Sequence, residues 1–311
     1  MKASILNLTN FLTEMDSETL NNYILAGKIA AEAREYGKSL IKEGTLAVEI
    51  LDKVEKKIFE LNAKPAFPAQ ISLNETAAHY CSEDDDKTIL KDQLVSLDVG
   101  VHVNGCIGDT AVSVDLSGKY SDMITASDKA LENALKIIKT GISLGEIGRE
   151  IEETIKSFGL NPVKNLSGHG LGIYSIHTKP SVPNYDTKEK TLLEENQVIA
   201  IEPFATNGVG MIQEKGYPTV FTLGRILPSR VDFVRKIIKE IESYDGLPFT
   251  TRWLTKKFSK QQVNYAIAEM MKNDCLLKHP PLVEISGGIV SQSEHSIIVG
   301  ENARILTKLD D

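Results

Sequence analysis

LVSLDVGVHVNGCIGDTAVSVDL, residues 94–116, decides how this chain is read. Val95, Leu97, Val99, Val101 and Val103 alternate with the period of a strand that has one apolar face. Asn104-Gly105 is a preferred pair for a two-residue type I′ turn, so the stretch predicts a β-hairpin. On such a loop, position 98 pairs with 111 and position 109 with 100. Asp98 and Asp109 then share the face opposite the valines as diagonal neighbours, about 7–8 Å apart at the backbone. Two carboxylates that close repel each other without cations, and they can bracket a metal pair about 3.5–4 Å apart. A one-residue slip in register would put them on opposite faces.

Three more polar residues stand in similarly apolar or glycine-rich stretches: His169 in SGHGLG, Glu202 in VIAIEPF and Glu294 in VSQSEHSIIV. Residues 196–204 and 294–299 are predicted as the strands that carry the two glutamates. An unpaired charge in such surroundings is costly. One buried acid can be a satisfied core residue. Four acids and one histidine need a common cause, and bound cations supply one. The set is rich in oxygen, with one imidazole and no thiolate. That suits Mn²⁺, Fe²⁺, Co²⁺ or Zn²⁺ and does not choose among them. GHGLG lacks the Lys-Ser/Thr ending of a phosphate-binding loop.

The helices flank this frame. Residues 17–61 predict two helices broken at Gly44, and residues 121–159 predict two more broken at Gly141. At a shift of 97 residues, Ile50, Val54 and Ile58 fall on Ile147, Ile151 and Ile155. Glu49 and Glu55 fall on Glu146 and Glu152 at the same shift, and each apolar trio lies on one helical face. Chance agreement between amphipathic helices competes with an internal duplication of two αα–β halves. Further on, Ser229 is a candidate cap for a helix over VDFVRKIIKEIESY, and Ser259 for one over KQQVNYAIAEMMKN. A helical insertion is expected at 226–280, within one domain spanning 1–311.

Bulk properties bound the function. A chain of 311 residues, 41% hydrophobic and 25% charged, has the composition of a globular protein with a large core. A net charge of −8 gives no footprint for nucleic acid. Cys81, Cys106 and Cys275 are widely spaced with no CxxC, against a structural zinc site or a disulfide framework. No run of about 18 apolar residues predicts a membrane span. MKASILNLTNFLTEMDSETL is polar too early for a signal peptide, so a cytoplasmic location is expected.

The order Asp, Asp, His, Glu, Glu resembles the ligand set of the pita-bread metallopeptidases: methionine aminopeptidases, prolidases and creatinase-like proteins. AFPAQISLNETAAHY, SLDVGVHVNGCIGDTA, GHGLGIYSIHTKPSVP, AIEPFAT, LPFTTRW and SEHSI resemble the type II methionine aminopeptidases of archaea and eukaryotes. The likeness runs from about residue 5 to the C-terminus. It implies an α/β (α+β) pita-bread fold: a pseudo-symmetric antiparallel sheet flanked by helices, with a helical insertion that separates type II from type I. It also implies two divalent metal ions, with Asp109 and Glu294 as bridges, Asp98 on one metal, and His169 with Glu202 on the other.

The reaction implied is removal of an N-terminal methionine, followed by a small residue, through a water activated by the two metals. Glu202 would assist proton movement. His79 and His177 would hydrogen-bond the scissile amide and the tetrahedral intermediate. Phe67 and Ile176 would line the methionine side-chain pocket, with ordinary core packing as the competing reading. His102, His279 and His295 are given no role, since His295 follows Glu294 and points to the opposite face of a strand. Nascent polypeptide N-termini are the implied partners of a monomer, with transient ribosome association left open and no nucleic acid or membrane. A proline-specific peptidase of the same fold is the first alternative. The early position of Asp98, the immediate first helical pair and the insertion argue against it. A non-catalytic binding member of the fold is the second, against which the full ligand set argues.

Overall fold

The computed structural model describes residues 15–226 and 228–309. The stretch read for a signal peptide, and the first residues of the family likeness, lie largely outside them. The chain starts with helix α1 (Ser17–Leu40), capped by Asp16, whose carboxylate accepts from the amides of Glu18 and Thr19. Helix α2 (Ala47–Glu60) follows. Strands β1 (Lys64–Pro65), β2 (Gln70–Leu73) and β3 (Thr76–Ala78) lead into β4 (Leu94–Val103) and β5 (Cys106–Asp115). Helices α3 (Ser121–Ile137) and α4 (Leu144–Ser157) come next, the latter opened by a Ser143/Glu146 capping box. Strands β6 (Asn161–Pro162), β7 (Ser167–Gly172), β8 (Ser175–Pro183), β9 (Val198–Ile201), β10 (Phe204–Thr206), β11 (Ile212–Glu214) and β12 (Val220–Leu223) complete the second half.

Both helical pairs and both glycine breaks stand where the sequence predicts. Gly44 and Gly141 share φ +85, and each donates its amide at 2.8 Å, to the carbonyls of Leu90 and Leu193. The repeat runs beyond the helices. At the same shift of 97, β1 falls on β6, and the amide of Ala66 bonding Gly100 O matches that of Val163 bonding Phe204 O. The apolar faces of α1 and α2 close one core over β4. Those of α3 and α4 close a second over β9 and the later strand 295–298. Duplication therefore accounts for the frame.

The hairpin register is as predicted: Asp98 pairs with Ala111, Gly100 with Asp109, and the turn residues Asn104 and Gly105 have φ of 50 and 85. Beyond β12, helix α5 (Asp232–Glu242), strand β13 (Phe249–Thr250) and helices α6 (Thr251–Thr255) and α7 (Lys260–Lys272) lead to β14 (Leu276–His279). These elements enclose a core of their own, with Phe221, Ile237, Phe249, Leu254 and Ile267. Ser259 caps α7 as expected, through a box with Gln262. Ser229 does not cap α5: Val231 holds that position, and the Ser229 hydroxyl accepts from the Val231 amide at 3.2 Å. The chain therefore makes a short turn before the helix starts.

The last strands are β15 (Leu282–Glu284), β16 (Val290–Gln292), β17 (His295–Ile298) and β18 (Arg304–Ile305). Among the described residues all ladders are antiparallel, and the two largest sheets join β1, β2, β4 and β5, and β18, β17, β9, β7 and β8. Hydroxyl side chains sew these two together. The Ser296 hydroxyl accepts from Asp109 N and donates to Asp109 O, each at 2.8 Å, and Thr110 Oγ1 donates to Glu294 O at 2.8 Å. Ser113 makes the same two-way bridge with the backbone of Gln292. Side chains here satisfy buried backbone groups that a regular ladder would otherwise pair.

Candidate metal centre

The seam between those two ladders is where the acids meet. The two glutamates do not lie inside continuous strands, as 196–204 and 294–299 had predicted. Strand β9 ends at Ile201 and β10 starts at Phe204, so Glu202 sits in the break with Pro203. Opposite, β16 ends at Gln292 and β17 starts at His295, so Glu294 sits in the matching break. Proline has no amide for a ladder bond. The chain leaves one ladder and joins the next at that point, and the Glu294 amide turns to Ala111 O at 3.2 Å.

His169 comes from the middle of β7, whose neighbours press closely on it. A Cβ on Gly168 would lie 2.3 Å from Ala200 O, and one on Gly170 would lie 2.2 Å from Lys179 O. The glycines of GHGLG therefore serve close strand packing on both sides of the imidazole, not a phosphate.

Asp98, Asp109, His169, Glu202 and Glu294 all line one cavity of about 220 Å³. Donor atoms of Asp109, His169 and Glu294 lie within 4.8 Å of one another. His169 Nε2 is 3.8 Å from both Asp109 Oδ2 and Glu202 Oε1. Asp109 and Glu294 are each only 2% exposed. Burial pushes the Asp98 carboxyl up to about 7, against a bond from Gln292 that lowers it. Burial, and then the charges of its acidic neighbours, raises each of Asp109, Glu202 and Glu294 well above the carboxylate range. Burial also drops His169 to about 3, with His177 adding to the effect. Asp98 Oδ1 and Asp109 Oδ1 are buried with no hydrogen-bond partner among the described residues. Orphaned oxygens, mutually repelling acids and a neutral imidazole facing one space fit divalent cations as the missing partner.

The other predicted residues line the same cavity: His79, His177, Phe67 and Ile176. His177 stands exposed at the mouth, its ring 4.5 Å from that of His169. His79 adopts φ 64, uncommon for a residue with a Cβ, and its Nδ1 is buried without a hydrogen-bond partner among the described residues. Burial, then His279 and His177, lowers it to about 4. Phe67 and Ile176 belong to one apolar cluster, and a Cβ on Gly100 would lie 2.1 Å from Phe67 Cε1. Gly100 thus makes room for the ring on the metal-facing side of the hairpin. His102 and His295 stay out of the cavity: His102 Nδ1 accepts from Gly105 N, and His295 Nδ1 meets Thr307 Oγ1 at 2.8 Å.

Sequence reasoning missed three residues here. His279 lines the cavity, its ring 5.8 Å from that of His79 and its Nε2 2.9 Å from Thr222 Oγ1. Only the pairing of β14 with β12 brings it there, and no local pattern signals that pairing. Gln292 donates to Glu202 Oε2 at 3.4 Å, and Gln70 Oε1 accepts from the His79 amide at 2.8 Å. Gln70 stands opposite Asp98 in the sheet, a position visible only once β2 is paired.

The sequence matches the model of metallopeptidase family M24 over residues 21–225. It is 42% identical over 295 residues to the methionine aminopeptidase of Archaeoglobus fulgidus, an alignment covering 94% of this chain and 99% of that one. The same enzyme of Thermococcus onnurineus is 42% identical over 287 residues, covering 91% and 97%. Among solved structures, the methionine aminopeptidase of Thermotoga maritima superposes with a TM-score of 0.70 at 25% identity, over 95% of this chain and 98% of that one. With residues 21–225 inside the family model and more than nine tenths of the chain aligned to these relatives, the chain belongs to metallopeptidase family M24.

Proposed function

We propose that this chain is a methionine aminopeptidase that releases N-terminal methionine from polypeptides whose second residue is small. One observation carries the reading. Four acids, of which Asp109 and Glu294 are buried and Asp98 and Glu202 partly so, converge with a histidine beside an apolar recess, in a chain that matches methionine aminopeptidases along nearly its whole length.

Asp109 and Glu294 would serve two cations in common, with Asp98 helping to hold one and His169 and Glu202 the other. Such cations polarise a peptide carbonyl and make water nucleophilic near neutral pH. The chain's own residues do the rest. Asp98 holds the free α-amine end of the substrate. Phe67 and Ile176 take the methionine side chain, whose unbranched thioether adapts to irregular apolar gaps. Burial and the imidazoles of His279 and His177 lower His79 to about 4. His177, solvent-accessible as a residue but with its ring packed at the cavity, is lowered in the same direction by the packing of that ring and by His279, so both favour the neutral form. A neutral imidazole donates from one nitrogen and accepts at the other, so each can bond the scissile amide and the oxygen on which charge develops. Glu202, held by Gln292, moves the proton.

The cavity supports the size rule. At about 220 Å³ it is smaller than the roughly 300–1,000 Å³ of sites for drug-sized ligands. It has room for a terminal residue and a small successor. Residues 226–280 act as an insertion within the one catalytic domain, contributing Pro248 and His279 to the cavity wall. Nascent chains in the cytoplasm are the natural substrates. No helix among the described residues is long and apolar enough to cross a membrane.

Hydrolysis of Met-Ala-Ser, Met-Lys-Ser and Ala-Pro by protein loaded with Mn²⁺, Fe²⁺, Co²⁺ or Zn²⁺ tests the reading. Release of methionine from Met-Ala-Ser, with little from Met-Lys-Ser, is expected. Intact Met-Ala-Ser under every metal, or faster cleavage of Ala-Pro, would overturn it.

A further inference from the structure

Arg252 is 1% exposed and does not line the cavity of the acids. Its Nη1 donates to Asp52 Oδ1 at 2.6 Å and to Glu55 Oε2 at 2.8 Å, and its Nη2 donates to Glu55 Oε1 at 2.6 Å. Its Nε donates to Ser82 O at 3.2 Å. Glu55, 2% exposed, accepts in turn from Ala69 N at 3.2 Å and from Trp253 Nε1 at 2.9 Å. One guanidinium therefore grips two segments at once: the start of β2 through Glu55 and Ala69, and the chain after β3 through Ser82.

His79 lies between those segments. Its amide is held by Gln70, the residue after Ala69, and Tyr80 O accepts from the Ile71 amide at 3.0 Å. A residue at φ 64 keeps that conformation only where its surroundings impose it. Stability alone does not account for the ion pair, since replacing buried pairs with apolar residues of similar volume is often neutral or stabilising. We infer that Arg252 is a positioning residue: by bridging Glu55 and Ser82 it fixes the spacing of the two segments, and with it the placement of the His79 ring over the cavity.

This inference rests on the proposed role of His79. The test uses the full-length, metal-loaded protein with ¹⁵N-labelled histidine, the His79 signal being identified by its absence in His79→Ala. Two variants are compared with the parent: Arg252→Lys, which keeps charge but loses the fork, and the double change Glu55→Leu with Arg252→Met, which fills the space with apolar groups. Folding is checked by a melting temperature within about 5 °C of the parent. In folded variants the His79 ring signal should move while that of remote His295 stays. On Met-Ala-Ser, kcat should fall by about 10–100-fold with KM within about threefold, the pattern of a misplaced catalytic group. A folded variant with the His79 signal in place and kcat near the parent would overturn the inference. If the double variant fails to fold, Arg252→Lys decides alone. Failure of the parent to cleave Met-Ala-Ser would count against the aminopeptidase reading, whereas the ring signal tests the positioning without turnover.

Discussion

Asp98 and Glu202 occupy corresponding places in the two halves of the molecule. Ala66 N bonds Gly100 O in the first half and Val163 N bonds Phe204 O in the second, and each acid lies two residues before the accepting residue. A duplicated frame thus turns one acid position into two, facing the same cavity. Asp98 is a leading charge in raising Glu202, second only to burial.

That correspondence predicts separable metal sites. Asp98→Asn should lower metal content, measured by mass spectrometry after equilibration, from about two equivalents to about one. Asp109→Asn, which removes an acid proposed to serve both ions, should lower it further. Equal loss in both variants would contradict the assignment of Asp98 to a single ion.

The two histidines should separate chemistry from metal binding. His79→Ala and His177→Ala are expected to reduce kcat by about 10²–10⁴-fold, the usual loss for a proton-transfer or oxyanion partner. Metal content should be unchanged, because neither ring is among the donors that converge on Asp109. Loss of metal in either variant would move that histidine into the ligand set.

The histidines also show where the sequence was legible and where it was not. Asp98 and Asp109 could be placed because a two-residue turn fixes register by itself, and the pairing follows. The four helices and the repeat were readable from periodicity and matched glycines. The apolar settings of Glu202 and Glu294 single both out, and both line the cavity, but neither lies in a strand as predicted, because a ladder switch depends on which strand lies alongside. His279 was invisible for the same reason. Its position in LLKHPPL has no local signature, and only the pairing of β14 with β12 carries it into the cavity. The seam of Ser113, Thr110 and Ser296 with residues 292–296 joins parts of the chain about 180 residues apart, beyond any local pattern.

Metal removal should make stability fall with rising pH. An acid whose folded-state pKa is raised favours folding below its unfolded value and loses that contribution as pH climbs through the folded value. Asp98 moves from 3.8 to about 7, and Asp109, Glu202 and Glu294 also lie well above the ordinary range. His79, lowered to about 4, and His169, lowered to about 3, act oppositely, weakening the fold only as pH drops below their unfolded value near 6.5. Above pH 6.5 the carboxylate slope stands alone, at about 1.4 kcal/mol per pH unit for each excess proton the native state holds. Thermal melts from pH 6.5 to 8, the window in which Asp98 loses its excess proton, should therefore decline in chelator-treated protein and stay flatter when metal is restored. Parallel curves with and without metal would show that the acids are ionised without cations.

Gly100 offers a test of the methionine recess that leaves every proposed ligand in place. A Cβ there would lie 2.1 Å from Phe67 Cε1, closer than real Cβ contacts allow, with the Cδ1 and Cζ atoms at 2.5 and 2.7 Å. Phe67 is 5% exposed in a packed cluster with Ala66, Leu171 and Ile176, so the ring cannot swing away freely. The remaining direction is the cavity that Phe67 already lines. Gly100→Ala should therefore narrow the recess and cost about 1–3 kcal/mol of stability, the range for overpacking a core. KM for Met-Ala-Ser should rise more than tenfold for about 1.4 kcal/mol or more of lost side-chain binding. Peptides beginning with the shorter Ala should be affected less, because they do not fill the recess. The pair Gly100→Ala with Phe67→Leu should recover part of both losses, since the smaller side chain gives the new methyl group room. Kinetics on Met-Ala-Ser and Ala-Ala-Ser, with thermal melts of the single and double variants, measure each effect. An unchanged ratio between the two substrates in Gly100→Ala would show that Phe67 packs beside the methionine site without shaping it.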